Sequence, residues 1–161
     1  MSNQTDLISL SQGDGSALTG VGKVLQVVNA TFSGSYSTSS ATRTDTGLTA
    51  SITPTNTANK ILVFVNLTGN SAYGGTGSGP YGRFTLMRGA TDLTRIEGEQ
   101  GYTGSTASNS TGSCSTTYLD SPNTTSSTTY KVQGSNAPGN GIISISTSSS
   151  TSTITLMEIA G

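Results

Sequence analysis

Glu97 and Glu99 stand two residues apart, so in an extended chain both side chains leave on one side. Paired carboxylates can bind Ca²⁺ or share acid and base duties across a glycosidic bond. A glycosidase also needs a set gap between its carboxyls and, usually, an aromatic platform for the sugar. This chain has no Trp. Arg95 falls on the same side and offsets part of the charge. The pair therefore reads as a solvated strand face, and the chain as a non-enzyme. A glycan-degrading activity using Glu97, Glu99 or Asp120 is the minor alternative. Arg43 and Asp45 also share a face and are expected to pair with each other.

Other chemistry is excluded by what is missing. With no His, neither a Ser-His-Asp nor a Cys-His site can form, nor a His-ligated metal centre. Cys114 is the one cysteine, so no internal disulfide is available. It reads as a small buried or loop residue. "GSGPYG" (Gly77–Gly82) matches the glycine spacing of a dinucleotide loop. That motif needs a helix after it, whereas "RFTLM" follows and reads as a strand. Five N-x-[ST] sequons, at Asn3, Asn29, Asn66, Asn109 and Asn123, are close to what chance gives in so hydroxyl-rich a chain. No catalytic, cofactor-binding or metal-ligating residue is assigned.

Composition sets the class. The 161 residues suit one domain. Serine (27) and threonine (29) together make about a third of them, with 21 glycines. Only 9% are charged and the net charge is −1, unlike a solvated disordered chain. The seven Lys and Arg are scattered singly, so no basic stripe exists for nucleic acid. No apolar run reaches the ~20 residues of a membrane helix. "MSNQTDLISL" lacks the basic start and sustained apolar core of a signal peptide. A product made in the cytosol and released by another route, with no membrane partner, is expected.

The elements that hold these residues are strands. No stretch repeats apolar residues at helical spacing over three turns. "KVLQVVNATF" (Lys23–Phe32) places Val24, Val28 and Phe32 on one face, Leu25 and Val27 on the other. "TGLTASIT" alternates, with Leu48, Ala50 and Ile52 inward. "KILVFVNL" (Lys60–Leu67) reads as a strand buried on both faces. "RFTLMRG" turns through "GATD" into "LTRIEG" as a hairpin. "CSTTYLD", "TTYKVQG", "GIISIST" and "TITLMEI" follow. About nine short strands separated by turn formers predict an all-β sandwich, barrel or jelly roll. The apolar C-terminal stretch then belongs to a sheet rather than to a tail.

Two connections are long: Gly69–Gly82 and Gly101–Ser113. They set Tyr73, Tyr81 and Tyr102 among Gly, Ser and Thr, the composition of adaptable binding loops. Residues 1–20 differ from the rest. They are polar and Gly-rich, with an apolar cluster at Leu7, Ile8 and Leu10, and read as an arm on a domain of residues 21–161. Edge strands are normally blunted by Lys or Pro. Three Lys and four Pro are too few to do so, which points to edges and one face covered by sister copies.

"ALTGVGKVLQVVNATFSG", "DTGLTASITPTNTANKILVFVN", "RFTLMRGATDL", "YLDSPNTTSSTTYKVQ" and "STITLMEIAG" together resemble a module of tailed bacteriophages that recurs in tail fibres and other virion surface proteins. The resemblance spans Ala17 to Gly161. It implies an antiparallel jelly roll like that of the complement globular head or tumour necrosis factor, assembled as a homotrimer. It brings no catalytic residues. The chain has no heptad or repeat segment for a fibre shaft. The expectation is therefore a virion structural protein: a capsid decoration protein or small head fibre. Its arm, through Leu7, Ile8 and Leu10, would dock on a major capsid or tail protein. The alternative is a tail-fibre knob whose Tyr73, Tyr81 and Tyr102 recognise host surface glycan.

Overall fold

The computed structural model describes residues 23–73, 82–98, 110–136, 141–146 and 149–161. Strands dominate them: β1 (Val24–Phe32), β2 (Tyr36–Thr38), β3 (Thr44–Ile52), β4 (Lys60–Tyr73), β5 (Gly82–Arg88), β6 (Thr91–Gly98), β7 (Ser110–Asp120), β8 (Thr128–Asn136), β9 (Ile142–Ile145) and β10 (Ser152–Ile159). No helix occurs among the described residues. This is the outcome expected of a chain rich in Thr and Ser, which favour a pleated surface over a helix.

Two antiparallel sheets pack face to face as a β-sandwich. The four-stranded sheet runs β3-β8-β5-β6. The six-stranded sheet is built around β4, with β7 along one side. The other side is shared in succession by β10, against Lys60–Asn66, and β9, against Ser71–Tyr73. Beyond them lie β1, paired with β10, and β2, paired with β9. The hand-over from β9 to β10 is filled by hydroxyls. Ser152 Oγ meets Ser146 Oγ at 2.8 Å and accepts from the Thr68 N–H. Ser146 Oγ donates to the Phe32 carbonyl.

The core is the aliphatic interior expected from alternation. Leu48, Ala50 and Ile52 of β3 face inward, as do Ile143, Ile145, Ile154 and Leu156 near the C-terminus. Tyr130 and Phe84 are its largest members. Gly134 lets Tyr36 lie close. A Cβ there would sit 2.9 Å from the Tyr36 ring and 3.0 Å from Phe84. The Tyr36 hydroxyl meanwhile donates to the Gly134 carbonyl and lies 2.9 Å from Thr44 Oγ1.

The structure corrects four sequence-based expectations. β2 is an added tenth strand, three residues long, too short for any period to show. A bulge between Val24 and Gln26 shifts the phase of β1, so Val24 faces out with Leu25 and Val27 while Val28, Ala30 and Phe32 pack on the core. Lys60–Leu67 is buried on one face only: Ile61, Val63, Val65 and Leu67 lie inside, Phe64 outside. Arg43 and Asp45 do not pair. Arg43, just before β3, reaches Asp92 of β6 across the sheet at 2.7 Å, and Asp45 takes Lys131, the diagonal neighbour on the paired strand β8, at 2.9 Å.

Candidate interaction surface

The two outer faces of the sandwich differ in chemistry. On the four-stranded sheet, Asp45, Gln133, Thr85 and Arg95 form one register row across the strands. Lys131, Met87 and Asp92 follow in the next. Arg43 caps this face, bonding Asp92 and lying 3.8 Å from the Met87 sulfur. Gln133 Nε2 and Lys131 Nζ both donate to the Asp45 carboxylate and hold its pKa below the usual value. Asp45 and Asp92 are more than half exposed, so these are ordinary surface pairs, while Thr85 and Met87 in the same rows are buried.

The outer face of the six-stranded sheet is apolar over half its length. Val27 pairs with Met157, Met157 with Leu62, and Leu62 with Leu119. The four thus form one row across the whole width of the sheet. Val27 is 55% and Leu119 51% exposed. Phe64, in the next row between Thr155 and Thr117, is exposed, as are Val24 and Leu25. Beyond Phe64 the face turns to hydroxyls and amides: Thr31, Thr153, Asn66 and Ser115 share a row. Asn29 Nδ2 donates to Thr155 Oγ1. Across these rows Lys60, at a corner, is the one charged residue.

The ends of the sandwich are also distinct. Following the strands up and down places the tops of β4 and β5, β6 and β7, and β8 and β9 at one end. The rows there are Gly98, Gly82 and Asn136 on one sheet, Tyr73 and Ile142 on the other. Residues 74–81, 99–109 and 137–140 depart from these positions. At the opposite end β1 begins beside the end of β10. The Ala160 N–H donates to the Lys23 carbonyl at 2.9 Å, and Gly161 N–H to Asn59 Oδ1.

Two buried carboxylates close that second end. Glu158 is wholly buried and answered by neutral donors: Gln26 Nε2, Thr55 N–H and Oγ1, and Asn59 Nδ2, all within 2.6–2.8 Å. Burial pushes its pKa up, but the hydrogen bonds from Asn59, Gln26 and Thr55 outweigh it and draw the value down to about 2. Asp120 is 5% exposed. Arg88 Nη1 donates to both its oxygens at 2.8 Å and the Tyr130 hydroxyl to Oδ2 at 2.6 Å. Burial first, then that carboxylate, raises the Tyr130 pKa well above the phenol's ordinary value. Asp120 is thereby held as a structural anchor, turned inward. Cys114 is half-buried on β7, where burial raises its pKa.

The residues singled out from sequence fall mostly elsewhere. Leu7, Ile8 and Leu10, Tyr81, Tyr102 and Glu99 lie outside the described residues. Tyr73 closes β4, pairing with Ile142. Glu97 stands opposite Arg83 in register, and Arg95 opposite Thr85 on the charged sheet. Gly82 opens a strand, β5, rather than a helix. Among the described residues no cluster of His, Cys, Asp or Glu is arranged to hold a metal ion, and no helix is long and apolar enough to cross a membrane. The apolar row itself went unread. Its signal in the sequence is the second, outward set of apolar residues at Leu62 and Phe64, which has the composition of a buried face. Comparison with protein-family models finds no match, and none of the curated proteins matches the chain.

Proposed function

We propose that this chain is a structural protein of a tailed-phage virion surface, a homotrimeric capsid decoration protein or small head fibre docked through residues 1–20. The observation that carries the reading is the polarity of the sandwich. Lys23, where residues 1–22 join the fold, sits at the end opposite the strand tops from which the long connections leave. A domain tethered at one end presents the other outward, which suits attachment to a shell and display away from it. Strand order supports a jelly roll: β1 and β10 are neighbours in one sheet, and β3, β4 and β5 alternate between the sheets. Three copies docking together would gain avidity from weak single contacts. The partner on the particle is a major capsid or tail protein, and the location is the virion.

Deleting residues 1–20 is expected to abolish co-sedimentation with the particle while leaving a folded knob. A truncated chain that still coats particles overturns the arm's role, and a reconstruction of the intact particle without density for this chain overturns the reading itself. The same polarity favours a second reading, a tail-fibre knob that binds host surface glycan at the end defined by Tyr73, Gly82, Gly98 and Asn136. Glycan-array binding lost on Tyr73→Ala, Tyr81→Ala or Tyr102→Ala, with low copy number at the tail, would replace the first reading by this one.

A further inference from the structure

We infer that β2 and β9 form a flap, at the end of the sandwich marked by Tyr73, that opens as a unit while the rest of both sheets stays folded. The inference does not depend on the virion reading and is tested apart from it.

Pairing makes the first argument. β10 runs beside β4 from Lys60 to Asn66, whereas β9 pairs with β4 only at Ser71, Ala72 and Tyr73. β2 joins the sheet through β9, by Tyr36, Ser37 and Thr38. Strands held by so short a ladder belong to the low-stability end of a structure.

The seam beside β9 makes the second. The register with β10 ends at Asn66 and that with β9 starts at Ser71. Between them β4 is bulged, with Gly69 at φ +59°. Two polar atoms of this stretch, Thr68 Oγ1 and Asn70 Oδ1, are buried with no hydrogen-bond partner in the protein. That costs the closed form free energy, which hydration on opening returns. Ser146 and Ser149 carry the chain from β9 towards β10 at φ +55° and +63°, a left-handed backbone that a non-glycine residue adopts at a cost.

The groups that close the flap are few. Ile143 and Ile145 lie in the core with Phe84. The Tyr36 hydroxyl crosses to the other sheet and donates to the Gly134 carbonyl at 2.9 Å. The Ser146 N–H donates to the Thr68 carbonyl, and the Asn136 N–H to the Ser40 carbonyl, both at 2.8 Å. Opening would bare the Ser71–Tyr73 edge of β4, and an unpaired strand edge is a template for an extended peptide.

The test is amide hydrogen exchange on the full chain, read residue by residue in water and in mild urea. Ladder amides of Tyr36–Thr38 and Ile142–Ile145 should share one opening constant. They should exchange ~100-fold or more faster than those of Val63, Val65, Ile154 and Leu156. Urea should speed the second group steeply and the flap little, because the flap exposes little surface. Gln26→Ala, which removes a bond to Glu158 at the opposite end, should speed the second group and leave the flap rate unchanged. Tyr36→Phe should speed the flap about three- to tenfold. If flap amides follow urea and Gln26→Ala in step with the core, the flap opens only with the whole molecule and the inference fails. It fails also if β2 and β9 open with unrelated constants, or if Tyr36→Phe leaves the flap rate unchanged. Should Gln26→Ala not fold, the urea series on the unaltered chain decides.

Discussion

Glu158 and Asp120 lie in one register row at the arm end of the six-stranded sheet, linked by Ile61, which pairs with both. Each is a buried carboxylate, and each is satisfied by a different means. Asp120 has a cation, Arg88, and a phenol. Glu158 is held by amides and a hydroxyl from β1 and from the connection between β3 and β4. The difference predicts different responses to acid and to substitution.

Stability should fall in acid through Glu158. Its folded pKa, about 2, lies below the model-peptide value of 4.5, so the unfolded chain takes up the proton first. The stabilisation is therefore fully present above pH 4.5 and is lost as pH falls towards 2. A shift of that size corresponds to about 3 kcal/mol. Urea unfolding midpoints measured from pH 6 to pH 2 should drop steeply in the unaltered chain. In Glu158→Gln they should begin lower and change less. Parallel pH profiles for the two proteins would contradict the assignment.

Asp120→Ala should cost about 3–5 kcal/mol, because it strands the Arg88 charge beside a buried phenol. Tyr130→Phe removes a single hydrogen bond to a charged acceptor and should cost about 1.5–3 kcal/mol. Combining them tests the network. The double variant should lose less than the sum of the two, since the phenol's partner is already gone. Strict additivity in chemical denaturation would mean that the 2.6 Å contact contributes nothing.

Gly134→Ala should destabilise by about 1–3 kcal/mol through overpacking against Tyr36 and Phe84. Pairing it with Tyr36→Phe probes the same contact, since that hydroxyl and the new methyl compete for one space. Thermal unfolding should show recovery of part of the loss. No change on Gly134→Ala alone would mean that the ring has room to move.

On the charged face, Asp45→Asn and Asp92→Asn should each shift stability by less than about 1 kcal/mol, because both carboxylates are more than half exposed. Their effects should shrink further at 1 M salt. A loss of several kcal/mol from either would show that these pairs are shielded from water and are not ordinary surface pairs.

Strand positions were legible because alternation reports burial directly. Leu48, Ala50 and Ile52, and Ile143 and Ile145, could be placed inward from spacing alone. Two kinds of information were not local. Which charge meets which is decided by how the strands are ordered in the sheet, so Arg43 with Asp92 and Asp45 with Lys131 could not be read two residues at a time. Whether a second apolar face is covered also depends on a partner outside the chain. Leu62 and Phe64 have the composition of a buried face, yet Phe64 is exposed in one chain. A bulge, as at Val24, shifts the phase without any change in composition. Glu158 was hidden for a related reason: its four donors come from Gln26, Thr55 and Asn59, about a hundred residues or more away.

The hydrogen bond from Ala160 to Lys23 has an engineering corollary. A peptide fused after Gly161 would leave the fold beside Lys23, at the end where residues 1–22 join it, and under the proposed attachment it would be turned away from solvent. An epitope meant to be seen by an antibody belongs instead between Gly98 and Ser110, at the far pole. The closeness of Lys23 and Ala160 also invites circular permutation: a short bridge could join these two points, and the chain could be reopened at the tight Gly89–Ala90 turn with the sheets undisturbed.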